Sequence, residues 1–265
     1  MSTTTSTKAE RQGRLWGLRP RGWAESEERQ LPTYEAALRR VGVDRGARVL
    51  DLGCGAGTFL RLAAERGAEV TGLDASPGLI ELARERIPSA ELRVGEIDRL
   101  PFADDAFDLV TGFNSFFFAA DMVAALREAG RVTKDGARVL IQIWGNPEHN
   151  DIETMKGVAA KYMPAESPSK GPARTELWKP GVLEDVACEA GLRPEDTFDV
   201  RWTYEYANED EFTTAMLSAG GLSVLVGPEG ESTVKREIAE ALASTRQPDG
   251  SHRLQNESHF LVCRA

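Results

Sequence analysis

The chain has 265 residues, of which 41% are hydrophobic and 28% charged, and a formal net charge of −10. That length allows one large domain, or a domain with an appendage, and the acidic balance argues against a nucleic-acid partner, because such binders usually present basic surfaces. The cysteines, Cys54, Cys188 and Cys263, form neither a disulfide framework nor a metal site, and no apolar run approaches the roughly 18 residues of a membrane span.

The first residues, MSTTTSTKAERQG, are polar and lack an apolar signal-peptide core, so a cytoplasmic setting is expected. Residues 1–13 read as a disordered tail, being Ser/Thr-rich without periodicity. Residues 14–44 read as a helical cap or lid, with a helix from Thr33 to Val41 that spaces Tyr34, Ala37, Leu38 and Val41 on one face.

From Arg48 a strand–helix rhythm begins. The expected strands are Val49–Leu52, Glu69–Asp74, Glu91–Val94, Phe107–Phe113 and Arg138–Trp144. The helices between them are Thr58–Arg66, a segment from Ser76-Pro77 to about Arg86, and Asp121–Arg131. Strands alternating with helices of this length predict a parallel sheet covered on both faces. Beyond Trp144 the rhythm loosens. A Pro/Ser/Lys-rich loop runs from Pro164 to Pro172, a helix from Pro180 to Ala190, and a strand from Glu195 to Tyr206. Helices are expected over Glu209–Ala219 and Glu231–Ser244, and a last strand over Ser251–Arg264. Residues 145–180 and 207–245 are the variable stretches, assigned to the acceptor side of a ligand site.

The chemistry-bearing turn is Asp51-Leu52-Gly53-Cys54-Gly55-Ala56-Gly57, between the first strand and its helix. Gly53 and Gly55 allow the backbone to turn tightly and meet a ligand without Cβ interference, and the following helix N-terminus offers free N–H groups. A dinucleotide fold requires G-x-G-x-x-G; here that third position is Thr58, and the third glycine arrives one residue early, at Gly57. Asp51 at the strand end suits an ammonium and not a pyrophosphate. Asp74, closing the second strand, is placed to accept both hydroxyls of a ribose. Glu96-Ile97-Asp98 follows the third strand, where an adenine edge would lie. The ligand so described has an amino acid at one end and an adenosine at the other.

Four segments in order, VLDLGCGAGTF, VTGLDAS, VGEIDRLPFADDAFDLV and REAGRVTKDGARVLI, resemble the successive motifs of class I S-adenosylmethionine-dependent methyltransferases. They are most similar to the small-molecule enzymes that include the ubiquinone/menaquinone C-methyltransferases. The resemblance spans roughly Arg45 to Trp144. It implies an α/β, Rossmann-like sheet of seven mostly parallel strands in order 3-2-1-4-5-7-6, strand seven antiparallel, within a domain over residues 45–265. It also implies an N-terminal helical lid and a helical insertion before the last strand.

The cofactor implied is S-adenosylmethionine, leaving as S-adenosylhomocysteine. By resemblance, Gly53, Cys54 and Gly55 contact the methionine part and Asp51 its ammonium, and Gly57 is assigned to the cofactor site with them. Asp74 holds the ribose, Ala75 flanks the adenine, Ile97 offers it a backbone N–H, and Glu96 or Asp98 lies near its exocyclic amine. Phe113 and Asn114 border the transferring methyl. The chain departs from the family in having Glu96 for the usual aspartate and Lys134-Asp135-Gly136 for a proline-glycine-glycine turn.

Methyl transfer is an in-line displacement, and a base is needed only if the acceptor holds its proton at neutral pH. His149, after strand five, is the candidate base, with an exposed loop histidine as the alternative; His252 and His259 read as structural. Phe117 and Phe118 either line an apolar acceptor pocket or join the core, and Trp16, Trp23 and Tyr34 either form the lid surface or pack a cap helix. Trp202, Tyr204 and Tyr206 alternate on one strand face and read as packing. Cys54 has no base near it in sequence, so a nucleophilic role is not expected.

The function expected is methyl transfer to O, N or C of a small, partly apolar metabolite, by a monomer or homodimer without metal, nucleic acid or membrane. A non-catalytic S-adenosylmethionine-binding protein of the same fold is the alternative. An NAD-dependent oxidoreductase is disfavoured by Thr58 and by the missing Tyr-x-x-x-Lys spacing.

Overall fold

A computed structural model describes residues 7–162, 170, 172–218 and 222–265. Seven strands form one sheet in the order β3-β2-β1-β4-β5-β7-β6. They are β1 (Arg48–Leu52), β2 (Glu69–Asp74), β3 (Glu91–Val94), β4 (Phe107–Phe113), β5 (Thr133–Trp144), β6 (Arg193–Tyr206) and β7 (His252–Arg264). Strands β1 to β5 run parallel, with Asp51 beside Gly72 of β2 and Thr111 of β4. Strand β7 is antiparallel to both β5 and β6. This is the topology implied by the motifs.

The alternation of side chains divides the core. On β1, Leu50 and Leu52 face one layer and Val49 the other; on β5, Val139 and Ile141 oppose Leu140; on β7, Leu261 and Cys263 oppose Phe260 and Val262. A strand buried on both faces reads as a continuous apolar run, as Val49-Leu50 and Val139-Leu140-Ile141 do. Helix α6 (Met122–Val132) and helix α8 (Val182–Glu189) cover the first face. Helix α3 (Leu31–Val41), α4 (Thr58–Glu65) and α5 (Pro77–Arg86) cover the second. The chain leaves β1 toward β2 and later returns to β4 on its other side. The carboxyl ends of β1 and β4 therefore flank the crevice where open α/β sheets bind ligands.

Three regions differ from expectation. Helix α1 (Lys8–Trp16) includes six residues assigned above to the disordered tail; residues 1–6 lie outside the described residues. Its start is a capping box, in which the Thr7 side chain accepts from the Glu10 N–H and the Glu10 side chain accepts from the Thr7 N–H. That reciprocal signal is two residues wide, and the Ser/Thr-rich composition around it masked it. Strand β5 begins at Thr133, ahead of the expected Arg138, because Gly136 takes a left-handed φ of 70° and lets the strand pass through a bulge. Helix α10 (Leu222–Ala241) starts well before Glu231, and kinks at Gly227-Pro228, where Gly227 has φ 70° and ψ 169°. Of the loop expected over Pro164–Pro172, only Lys170 and Pro172 fall among the described residues.

A third apolar cluster joins the end of β6 to the variable segments. Trp202, Tyr204 and Tyr206 pack against Met155 and Val158 of α7 (Met155–Ala159), Phe212 and Met216 of α9 (Glu209–Ser218), and Leu222 and Ile238 of α10. This cluster stands beyond the carboxyl end of β5, next to the crevice.

Candidate active site

The crevice is a single cavity of about 370 Å³. Its floor is the β1–α4 turn. Gly53, Gly55 and Gly57 all have left-handed φ values, 76°, 55° and 86°. At Gly55 a Cβ would lie 3.2 Å from Glu27 Oε2 and 3.3 Å from the Trp23 indole nitrogen, so the lid presses on the bare backbone at this point. Gly57 turns away from the cavity, and a Cβ there would stand 2.9 Å from Ile87 and 3.3 Å from Ala83 of α5. Its role is helix packing, not the ligand contact assigned to it by sequence.

The cavity is ringed by carboxylates. Asp51 is buried and its Oδ1 accepts the Thr111 hydroxyl at 2.7 Å. Burial pushes its pKa up to about 8, against the lowering effect of that hydroxyl, and nearby Glu27 and Asp74 add to the rise. Asp74 accepts the Ser76 N–H at 2.8 Å and the Gly55 N–H at 2.9 Å, and burial raises its pKa above the usual range despite these bonds. The side chain thus ties the second strand's end to the glycine turn.

A third carboxylate, Glu27 of α2 (Pro20–Glu28), is only 3% exposed and was not anticipated. Helix α4 begins at Gly57 with no side-chain cap of its own. Glu27 supplies one across the cavity, accepting the Ala56 N–H at 2.9 Å and the Thr58 N–H at 3.1 Å. Burial pushes its pKa up to about 7, opposed by those two bonds and by Arg86. The signal available in the sequence was the helical spacing of Trp23 and Glu27, which puts both on one face of α2.

Ala75, Glu96, Ile97 and Asp98, the residues assigned to the adenine by resemblance, line the cavity. Asp98 accepts the N–H groups of Asp121 and Ala120, holding the loop after β3 against the loop after β4. Glu96 accepts the Thr7 hydroxyl, and Lys8 donates to the Ala119 carbonyl, so α1 spans the cleft from one lip to the other. Gly13 of α1 allows this closeness: a Cβ there would stand 2.0 Å from the Ala75 carbonyl oxygen. Trp16 and Trp23 pack edge to face, centroids 4.5 Å apart, and both line the cavity with Tyr34.

After β4, Phe113 and Asn114 line the cavity. Asn114 adopts φ 51°, a conformation that costs a non-glycine residue energy and that clusters at functional sites. Its Oδ1 and the Ser115 Oγ are buried without a hydrogen-bond partner among the described residues. Phe118 lines the cavity and meets Trp16 edge-on, whereas Phe117 is a core residue with the Arg174 guanidinium 4.2 Å over its ring. The Cys54 thiol also lines the cavity, yet it is buried, its pKa is pushed well above that of a free thiol by burial and neighbouring carboxylates, and it fills the space beside Gly72. It is no nucleophile.

His149 does not reach the cavity. Its Nδ1 lies 2.8 Å from Glu257 Oε2, and Arg201 Nε donates to the same oxygen at 3.0 Å. A buried glutamate on β7 draws the ring away, and nothing in the local sequence around Pro147-Glu148-His149 announces a partner 108 residues distant. The other two histidines are structural as expected. His252 stacks on Phe212 and bonds Thr245, and His259 pairs with Asp199.

A second, mostly apolar part of the lining, the chamber, is made by Trp144, Ile152, Met155, Ala159, Met216 and Leu222, together with Tyr204 and Gln30. These residues come from the ends of β5 and β6 and from the two variable segments, where sequence periodicity identified helices without their facing. Tyr204, read above as packing alone, both packs and lines the chamber. Among the described residues no group of histidines, cysteines and acids could hold a metal, and no helix is long and apolar enough to cross a membrane.

Sheet order, glycine turn and acidic strand ends together give the Rossmann-like fold of class I S-adenosylmethionine-dependent methyltransferases. Residues 50–141 match the family model described as Methyltransferase domain. Over 95 residues the chain is 39% identical to a malonyl-[acyl-carrier protein] O-methyltransferase of Serratia marcescens, covering 36% of this chain and 37% of that protein. Over 122 residues it is 35% identical to the demethylmenaquinone methyltransferase of Beutenbergia cavernae, covering 46% and 51%. The chain thus spans about a third to a half of the length of these relatives. Among solved structures it is similar to a complex between the Haloferax volcanii Trm112 methyltransferase activator and a methyltransferase, with TM-score 0.64, 20% identity and coverage of 98% and 99%. It is also similar to the [4+2]-cyclase SpnF, with TM-score 0.57, 18% identity and coverage of 88% and 79%. Likeness at that distance describes the fold alone.

Proposed function

We propose that the chain transfers the methyl group of S-adenosylmethionine to O, N or C of a small, uncharged and largely apolar acceptor. The observation that carries this reading is the continuity of one cavity from the carboxylate-ringed glycine turn to the apolar chamber. The donor fits the residues present. Gly53 and Gly55 line the cavity with bare backbone in left-handed conformations, and Asp51 and Asp74 provide acceptors for an ammonium and for ribose hydroxyls. When bound, the sulfonium supplies an electrophilic methyl group.

The protein's own contribution is alignment and exclusion of water. Lid helices α1 and α2 cover the donor end, and Trp16, Trp23 and Tyr34 keep it dry. Asn114, fixed in its left-handed conformation, stands at the carboxyl end of β4 between donor site and chamber. The Tyr34 and Tyr204 hydroxyls, held neutral by burial, are available as donors in the cavity lining. His149 lies outside the cavity, and a mechanism by alignment without that base follows.

Acidic side chains outnumber basic ones along the cavity, with Glu27, Asp51, Asp74, Glu96, Asp98 and Glu153 against Arg174. That balance disfavours an anionic acceptor. Of the acceptors in the relatives' names, the chamber suits demethylmenaquinone better than a malonyl group. The test is methyl transfer from labelled donor to a panel of neutral apolar hydroxy-, amino- and quinone-type compounds, beside carboxylic acids of equal size. Labelling of the carboxylic acids alone would overturn the assignment of acceptor class. Donor binding with no labelling of any compound would favour the non-catalytic alternative.

A further inference from the structure

Three carboxylates face one another across the donor end: Glu27 from lid helix α2, Asp51 from β1 and Asp74 from β2. The other titratable or charged groups around Glu27 include Arg86 of α5, which favours its charge, and Tyr34 of α3, Tyr204 of β6 and Cys54 of the glycine turn, whose hydroxyls and thiol stay neutral. Glu28, next in sequence, faces outward and engages Arg61 and Arg86. Of the three carboxylates only Glu27 belongs to the lid; its neighbour Glu28 also reaches α4, accepting the Thr58 hydroxyl at 3.3 Å. The two bonds of Glu27, to the Ala56 and Thr58 N–H groups, join α2 to the α4 N-terminus. A carboxylate accepts both N–H groups; a protonated carboxyl keeps one acceptor and turns an O–H toward the other.

We infer that Glu27 is a charge-sensing latch, which seats the lid while a positively charged donor occupies the cavity and releases it once the donor has become neutral. The inference rests on the methyl-donor reading above. In the transfer, the acceptor's electron pair forms the new bond to the methyl carbon as the sulfur–carbon bond breaks. That bonding pair stays on sulfur, and the acceptor's proton departs to solvent. The sulfonium would become an uncharged thioether while the donor's ammonium stays charged, so a cavity ringed by three buried carboxylates would lose one positive charge. The cluster responds by taking up a proton or by separating. Asp51 and Asp74 sit on strands and cannot move apart; Glu27 rides on a helix that can. Product formation thus loosens two of the bonds that hold the lid, those made by its one buried carboxylate, which makes Glu27 a positioning residue for turnover.

The test reads the amide exchange of Ala56 and Thr58 by NMR at neutral pH under saturating ligand. The three ligands are S-adenosylmethionine, S-adenosylhomocysteine and a donor analogue carrying a protonated amine in place of the sulfonium. Both cationic ligands should slow exchange about tenfold more than the neutral product, the factor that a one-unit pKa difference confers. In Glu27→Gln, which cannot change charge, the contrast should vanish while calorimetry still registers product binding. Equal exchange under all three ligands in the unsubstituted protein would overturn the latch, as would a contrast that survives in Glu27→Gln. Failure of every ligand to bind would overturn the donor reading, and the latch with it.

Discussion

Thr111 of β4 donates its hydroxyl to Asp51 of β1 at 2.7 Å, across adjacent parallel strands. This bond lowers the cost of a buried carboxylate, yet burial still raises the Asp51 pKa to about 8. Without ligand the group is therefore mostly protonated at pH 7. A cationic donor beside it should ionise it, so donor binding should release protons. Calorimetry in buffers of different ionisation enthalpy measures that release, and Asp51→Asn should remove most of it.

The same shift sets a stability trend. A carboxyl whose folded pKa lies above its unfolded value holds its proton longer in the native state. Its contribution to stability is then complete at low pH and is lost as pH rises. For Asp51 the window runs from its ordinary 3.8 to about 8. The thermal midpoint of the ligand-free protein should fall across this window more steeply than that of Asp51→Asn. Parallel slopes for the two proteins would remove Asp51 as the source.

Asp74 has the firmest sequence-derived role, and its substitution probes two functions at once. The side chain bonds Ser76 and Gly55 as well as facing the cavity. Asp74→Asn retains one acceptor oxygen and loses the charge. We expect donor affinity to drop by about 1–3 kcal/mol, the size of a charge-assisted hydrogen bond. Unchanged affinity by titration calorimetry would remove the ribose assignment.

Legibility of the sequence followed the range of the interactions. Glycine spacing in the β1–α4 turn, Asp51 and Asp74 at strand ends and the strand rhythm are local signals; the rhythm predicted a parallel sheet, and the family resemblance carried by the same motifs implied the sheet order. Glu27 escaped because its partners, Ala56 and Thr58, lie 29 and 31 residues away, and a glutamate in a charged helix resembles any solvated one. His149 misled for the converse reason: its position after β5 is where an acceptor base would stand, while its true partner is on β7. The chamber was illegible because apolar residues at helical spacing in α9 and α10 do not state whether they face a core or a cavity.

Gly13 sets two magnitudes against each other. Alanine is favoured over glycine inside a helix by about 1 kcal/mol, so Gly13→Ala should stabilise α1 if the helix stood alone. A Cβ at that position would meet the Ala75 carbonyl oxygen at 2.0 Å and its carbon at 2.4 Å, both backbone atoms that cannot swing aside. The clash should win. We expect α1 to lift from the β2–α5 turn, with trypsin cutting faster at Arg11 and Arg14 and the donor dissociating faster. A more resistant lid in this variant would show that α1 does not sit on the turn in solution.

Separation of donor and acceptor regions makes the chamber testable without knowing the acceptor. Ala159 lines the chamber from α7, in the variable segment that follows β5. Replacing it with phenylalanine adds a ring to a space walled by Met155, Met216 and Trp144. Donor affinity should stay within about twofold, because an addition outside the donor's contacts is additive with them. Acceptors that fill the chamber should suffer a raised KM, larger ones more than smaller ones, as overpacking of a formed cavity demands. Measuring donor Kd and acceptor KM on the same variant decides the matter. If donor binding fell while KM held, the chamber would belong to the donor, and the acceptor would have to enter from the lid side.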